Sequence, residues 1–167
     1  MGLDMYLIKA KRMGEVTITE YIHRYSTWDT EKKYGDKAIF EQIGYWRNAN
    51  HIHNWFVENV QDGIDECDIY EVTKEQLEDL LSVCKEVLNN SKLIKGKVVN
   101  GQKYENGEYI EDSSVAEELL PTTSGFFGGT EYDEWYYKVV EYTINIIENV
   151  LRTTDFEHEV VMYRSSW

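Results

Sequence analysis

The chain predicts an α+β fold, a small antiparallel sheet that includes both terminal strands and packs with about three helices. Three observations carry this. Extended, β-type runs open and close the sequence, helical apolar stripes fill its middle, and Gly/Asn pairs punctuate the joins. Leu3 to Lys9 is a short apolar run of strand type. Val16 to Ser26 alternates, with Val16, Ile18, Glu20, Ile22 and Arg24 opposite Thr17, Thr19, Tyr21, His23 and Tyr25, which is a strand pattern with β-branched and aromatic content. Trp28 to Gly35 reads as a polar loop, and Lys37 to Gln42 as an extended lead into a helix. That helix is expected over Gly44 to Phe56, because Tyr45, Ala49, Ile52 and Phe56 recur at helical spacing. Gln61-Asp62-Gly63 stops it.

Ile69 to Val72 suits a brief strand. Thr73 opens a second helix and Gln76 completes a capping box. Its buried face is Leu77, Leu80, Leu81, Cys84, Val87 and Leu88, and Asn89-Asn90-Ser91 ends it. Residues 91–120 suit a hairpin or an excursion from the core, with turn signals at Val99–Gln102 and at Asn106-Gly107. Ser113 to Leu120 is a short helical turn that stops before Pro121. Pro121 to Gly129 is a glycine-rich loop. Thr130 is expected to cap a third helix, with Asp133 near the position a capping acid prefers. Its inner side is read from Tyr132 and Trp135 through Val150 and Leu151. Thr153-Thr154-Asp155 breaks it, and Phe156 to Trp167 is a closing strand that can pair beside the first.

The length of 167 residues fits one domain, 1–167. Aromatics reach 14%, enough to build a core, and the net charge of −14 disfavours a nucleic-acid polymer or an anionic membrane as partner. No apolar run approaches the roughly 20 residues of a membrane span, and the N-terminus lacks the pattern of a signal peptide. A cytoplasmic location is expected. Cys67 and Cys84 are too few for a disulfide scaffold. Exposed aromatics in the 91–120 excursion can support a homo-oligomer.

The candidate site begins on the expected 44–56 helix, where Arg47, Asn50 and Asn54 share a face with His51 beside them and Trp46 at its border. Arginine offers a planar fork for phosphate or carboxylate, and asparagine offers donor and acceptor together. The same residues equally suit a polar network that ties the helix to neighbouring loops. Thr122, Thr123 and Ser124 carry hydroxyls in the glycine-rich loop, just before a helix start where an anion is favoured. That loop lacks the Gly-Lys-Ser/Thr ending of a phosphate-binding loop and the frame of a nucleophile elbow, and it can instead be a plain capping loop with Phe126 and Phe127 in the core. Tyr132 or Trp135 can stack a base at a pocket rim. His51 and His53, two apart on a helix, cannot chelate one ion, so no metal and no cofactor are expected. His53 lies nearer the core side. Asp4, in an apolar strand, is expected at a sheet edge or paired with Arg47 or Arg164.

Several segments together resemble a family of small bacteriophage and bacterial proteins that begin Gly-Leu-Asp-Met-Tyr-Leu. They are Gly2–Leu7, Gly44-Tyr45-Trp46-Arg47 through Trp55-Phe56, Leu119–Thr122 through Gly125-Phe126-Phe127, Thr130–Glu134, and Ser165-Ser166-Trp167. Members often carry Lys where this chain has Asn48 and a third Phe where it has Gly128. The resemblance implies a phage origin, and with it an action against host defences such as sequestering a nucleotide immune signal. The expected function is therefore capture of a small anionic ligand without catalysis, with Trp46, Arg47, Asn50, His51, Asn54, Thr122, Thr123, Ser124 and Tyr132 as ligand-binding residues. Two alternatives stand beside it. One is an acidic inhibitor that binds a host protein. The other is a metal-independent phosphoesterase or transferase using His51 as general acid/base.

Overall fold

The computed structural model describes residues 2–12, 40–123 and 127–167. The expected strand at Val16–Ser26, the loop at Trp28–Gly35 and the first part of the 37–42 segment lie outside these residues, as do Ser124 and Phe126. Strands β1 (Asp4–Lys11), β2 (Phe40–Arg47), β3 (Ile69–Val72) and β6 (Glu159–Ser166) form a four-stranded sheet in the order β2-β1-β6-β3. All its pairings are antiparallel, and the strands nearest the two ends of the sequence lie side by side at its centre. Strands β4 (Leu93–Val99) and β5 (Gln102–Ile110) make a separate hairpin. The helices are α1 (Asn50–Val60), α2 (Lys74–Asn89), α3 (Ser114–Leu119) and α4 (Glu134–Thr153).

One sheet face joins the main core, where Met5, Leu7, Trp46, Val72, Val161 and Tyr163 meet α1, α2 and α4. Helix α2 buries Leu77, Leu80, Cys84 and Val87, while Leu81 and Leu88 are half-buried. Helix α4 buries Tyr136, Val139, Val140, Thr143, Ile146, Ile147 and Val150. The other sheet face gathers Ile8, Ala10, Val160 and Met162 with Tyr6 and Ile69. Among the described residues, no helix is long and apolar enough to cross a membrane.

Local chemistry explains most of the boundaries. Thr73 and Gln76 close the capping box at the start of α2. Asn100 (φ 50°) and Gly101 (φ 78°) fill the two-residue loop of the hairpin, both in the left-handed region that such a turn needs. Asn106-Gly107 is not a second turn. It lies within β5, where the ladder shifts register opposite Gly96, and so acts as a bulge. Gly96 is required there, since a Cβ would stand 2.5 Å from the Tyr104 carbonyl oxygen.

Two helix starts differ from expectation. Residues 44–47 belong to β2, and α1 begins only at Asn50. In β2 successive residues alternate, so Trp46 is buried while Tyr45 and Arg47 face away from that core. Gly44 lets α4 approach the sheet, because a Cβ would lie 2.9 Å from Ile146 Cγ2 and 3.3 Å from Leu7 Cβ. Asn48 then turns the chain at φ 54°, a conformation asparagine tolerates. Its Oδ1 accepts from Leu3 N–H at 2.9 Å, and its own N–H donates to the Leu3 carbonyl at 2.8 Å. At α4 the cap is Asp133, whose carboxylate accepts from Tyr136 N–H at 3.0 Å, and not Thr130. Trp135 is 57% exposed rather than buried. The closing strand begins at Glu159, after a turn at 156–158.

The tight contact at Gly44 gives a direct stability test. Gly44→Ala should lower the unfolding free energy by about 1–3 kcal/mol through overpacking. Gly129→Ala, where a Cβ would meet nothing within 4 Å, should stay within about 0.5 kcal/mol of the wild type. Urea denaturation of the two variants makes the comparison.

Candidate functional site

The loop between α3 and α4 is seated on the first turn of α1 by one side chain. Asn50 is 3% exposed. Its Nδ2 donates to the carbonyls of Phe127 at 2.9 Å and Gly129 at 3.0 Å, and its Oδ1 accepts from Thr123 N–H at 3.2 Å. Gly128 sits at φ 100°, and a Cβ there would lie 2.3 Å from the Asn48 carbonyl oxygen. Only glycine allows so close an approach. The loop is further tied by Thr122 N–H to Tyr132 Oη at 3.2 Å and Thr122 Oγ1 to the Thr130 carbonyl at 3.0 Å. Tyr136 Oη donates to the Leu120 carbonyl at 2.9 Å. Phe127 packs against the core.

Between this loop, the β2–α1 corner and the start of α4 lies a shallow hollow of about 20 Å³, room for about one water molecule, open to solvent at its mouth. His51 and Tyr136 are its buried walls, Asn48, Thr122 and Asp133 its half-buried ones, and Glu131 and Trp135 are exposed. The imidazole of His51 lies 4.4 Å from the Tyr136 ring, centroid to centroid. Burial pushes its pKa down to about 3, so the ring is neutral at physiological pH. Its Nε2 is buried and has no hydrogen-bond partner. Both acids of the hollow are already engaged. Glu131 forms an ion pair with Lys97 of β4, and Asp133 caps α4.

The nine residues expected to contact ligand fall into several places. His51 and Thr122 line the hollow. Asn50, Thr123 and Tyr132 build its supporting loop, Tyr132 lying edge-on to Tyr136 at 4.9 Å. Asn54 is half-buried on α1 and is not among the lining residues. Trp46 is 2% exposed, with its indole N–H donated to Thr143 Oγ1 at 2.9 Å, so its ring face is spent on the core. Ser124 lies outside the described residues.

Arg47, at the end of β2, does not share a helical face with Asn50. Its side chain is exposed, with Nε 4.0 Å from Asp4 Oδ1, and Asp4 also accepts from the Tyr45 hydroxyl. Arg47 Nη2 and Asn48 Oδ1 both lie near Gly2, and Arg47 is not among the residues lining the hollow. Asn48 and Glu131 were not singled out by the sequence. Asn48 can be recognised only once the left-handed corner is known.

His53 faces different surroundings from His51. Its Nδ1 pairs with Tyr163 Oη at 2.7 Å and its Nε2 with Asp65 Oδ1 at 3.0 Å, and Trp167 Nε1 donates to the same oxygen at 3.2 Å. Burial lowers the pKa of His53, although Asp65 opposes the shift. Cys84 is buried with its thiol pushed up to about 12, whereas Cys67 is exposed. Among the described residues, Asp155, Glu157 and His158 bring metal-type donor atoms within 4.8 Å of one another. They are exposed in the α4–β6 turn, and none lines the hollow.

Asn50→Ala removes three hydrogen bonds and strands buried backbone groups. It should cost about 2–4 kcal/mol in chemical denaturation. The His51 ring stays neutral down to about pH 3 in the folded chain, whereas an unfolded histidine takes a proton near pH 6.5. The unfolded state therefore binds more protons between those values, and stability falls as pH falls through that window, by up to about 1.4 kcal/mol per pH unit for one group. His51→Phe should flatten the pH dependence of stability between about pH 6.5 and 4.5, leaving the contribution of His53, whose pKa burial also lowers. The chain matches no family model, no curated protein and no solved structure in comparisons with each.

Proposed function

We propose that the protein is a non-catalytic binding protein that captures a small nucleotide-type ligand over the hollow beside His51. The observation that carries this reading is the neutral, buried His51 ring, which lines the hollow and whose buried Nε2 has no hydrogen-bond partner. A buried polar atom without a partner costs free energy that a bound group can recover. A base edge offers such a group, and the exposed indole of Trp135 supplies a stacking face. The Asn48 Nδ2 adds a donor, its Oδ1 being taken by the Leu3 N–H. The phosphate falls to Arg47, next in the chain to Asn48, whose guanidinium is exposed. Lys97 offsets the charge of Glu131.

Binding is favoured over turnover on the chemistry of His51. A general acid/base works best with a pKa near the operating pH, and a ring with its pKa near 3 is far from that. The hydroxyl of Thr122 is committed to the Thr130 carbonyl. The resemblance to phage proteins gives the reading its direction, namely sequestration of a nucleotide immune signal in the host cytoplasm.

The test is a panel of mononucleotides and cyclic oligonucleotides in thermal-shift and calorimetric titrations, with the recovered ligand analysed by mass spectrometry. One nucleotide should raise the melting temperature by several degrees and return chemically unchanged. Trp135→Ala and Arg47→Ala should each weaken it about tenfold or more with unaltered circular dichroism. A panel in which nothing binds, or a ligand recovered as product, would overturn the proposal.

A further inference from the structure

We infer that β4 is a docking edge for an extended acidic segment of a partner protein. The inference rests on the hairpin and is independent of the hollow. Among the described residues, strand β4 pairs with β5 along one side only. The root of β5 is covered on its other side by the Tyr109–Asp133 bridge and by Ile110 N–H donating to the Tyr132 carbonyl at 2.9 Å. Among the described residues, no strand or other backbone group pairs with the outer side of Leu93–Val99. Alternate residues of the seven-residue strand therefore present backbone donors and acceptors that are unpaired among the described residues.

The charge of this edge is opposite to that of the rest of the chain. None of the 31 acidic residues falls between positions 87 and 104, whereas Lys92, Lys95, Lys97 and Lys103 all do. Lys92 is paired with Glu111 and Lys97 with Glu131, while Lys95, across the ladder from Glu108, and Lys103 form no ion pair among the described residues. Beside these cations, Val98 is 64%, Val99 41% and Tyr104 45% exposed. Lysines alone would be an ordinary guard against edge-to-edge association. A guarded edge has no need of solvent-facing valine and tyrosine, and the combination suits strand addition, in which backbone bonds give affinity and side chains give selectivity.

Charge also selects the occupant. A second copy paired antiparallel through β4 about Gly96 would set Lys95 against Lys97 of the partner strand, which repels. A nucleic acid would be attracted by the lysines but repelled by a chain of net charge −14, and it makes no use of an open backbone edge. A peptide of alternating acidic and apolar residues satisfies the lysines, the valines and the backbone together.

The experiment uses the full chain and a dye-labelled peptide of about eight alternating Glu and Val residues, a length that covers the edge. Fluorescence anisotropy should show saturable binding that weakens as salt rises, and amide shifts in NMR spectra should cluster on 93–99. Lys95→Glu/Lys103→Glu should weaken binding at least about tenfold. Lys74→Glu/Lys85→Glu, an equal charge change on α2, should leave it unchanged, with circular dichroism confirming that both variants fold. No binding, equal binding by a peptide with Lys in place of Glu, shifts located elsewhere, tighter binding of a single-stranded oligonucleotide, or dimerisation of the chain through β4 would each overturn the inference.

Discussion

The corner between β2 and α1 holds several elements in one arrangement. Asn48, in the left-handed region, exchanges two hydrogen bonds with Leu3 and so fixes the end of β2 against the start of β1. Two residues later, the Asn50 amide fixes the incoming loop through Thr123, Phe127 and Gly129. Gly128 presses against the Asn48 carbonyl from the other side. An amide has two donors and an acceptor in a plane, so one buried asparagine can satisfy three backbone groups that a loop would otherwise leave unpaired. The hollow is a by-product of this joint. It lies where the helix start, the loop and the first turn of α4 meet without filling the space between them.

Electrostatics separates the surface from the interior. The surface carries the excess acid of a chain with net charge −14. The interior carries two histidines that burial keeps neutral, His51 in the hollow and His53 between Tyr163 and Asp65. His53 is a satisfied core residue, with both ring nitrogens partnered. His51 has an unsatisfied nitrogen, and that difference makes one a structural group and the other a candidate contact for a ligand. The loop that forms the hollow also anchors the hairpin, through Glu131 to Lys97 and through the pairing at residues 132–133. The hollow and the hairpin edge are thus joined through the Lys97–Glu131 ion pair.

Elements with a clean period and a strong local signal were legible from residues alone. Strand β3, the capping box and apolar stripe of α2, the inner face of α4 and the pairing of the terminal strands all follow from patterns of burial and turn chemistry. The stretch Gly44–Phe56 misled because aromatic residues fit both periods over so short a run. Tyr45 and Ala49 sit four apart, yet Tyr45 belongs to a strand and Ala49 to a helix cap. Arg47 consequently left the face assigned to it. At the α4 start, both Thr130 and Asp133 are good caps by chemistry, and the choice fell to Asp133 because Thr130 lies in the loop, where its carbonyl accepts from Thr122.

The sequence by itself determined the class of fold, the pairing of its first and closing strands and the core-side position of His53, since periodicity and composition act locally and survive any arrangement of neighbours. Only the tertiary structure decided which side chains meet across the β2–α1 corner, that Trp46 is core and Trp135 is surface, and that Asn48 and Glu131 border the hollow. Those outcomes depend on contacts between residues tens of positions apart, such as Asn50 with Thr123 and Trp46 with Thr143. Nothing in the local residue pattern encodes the distance between them.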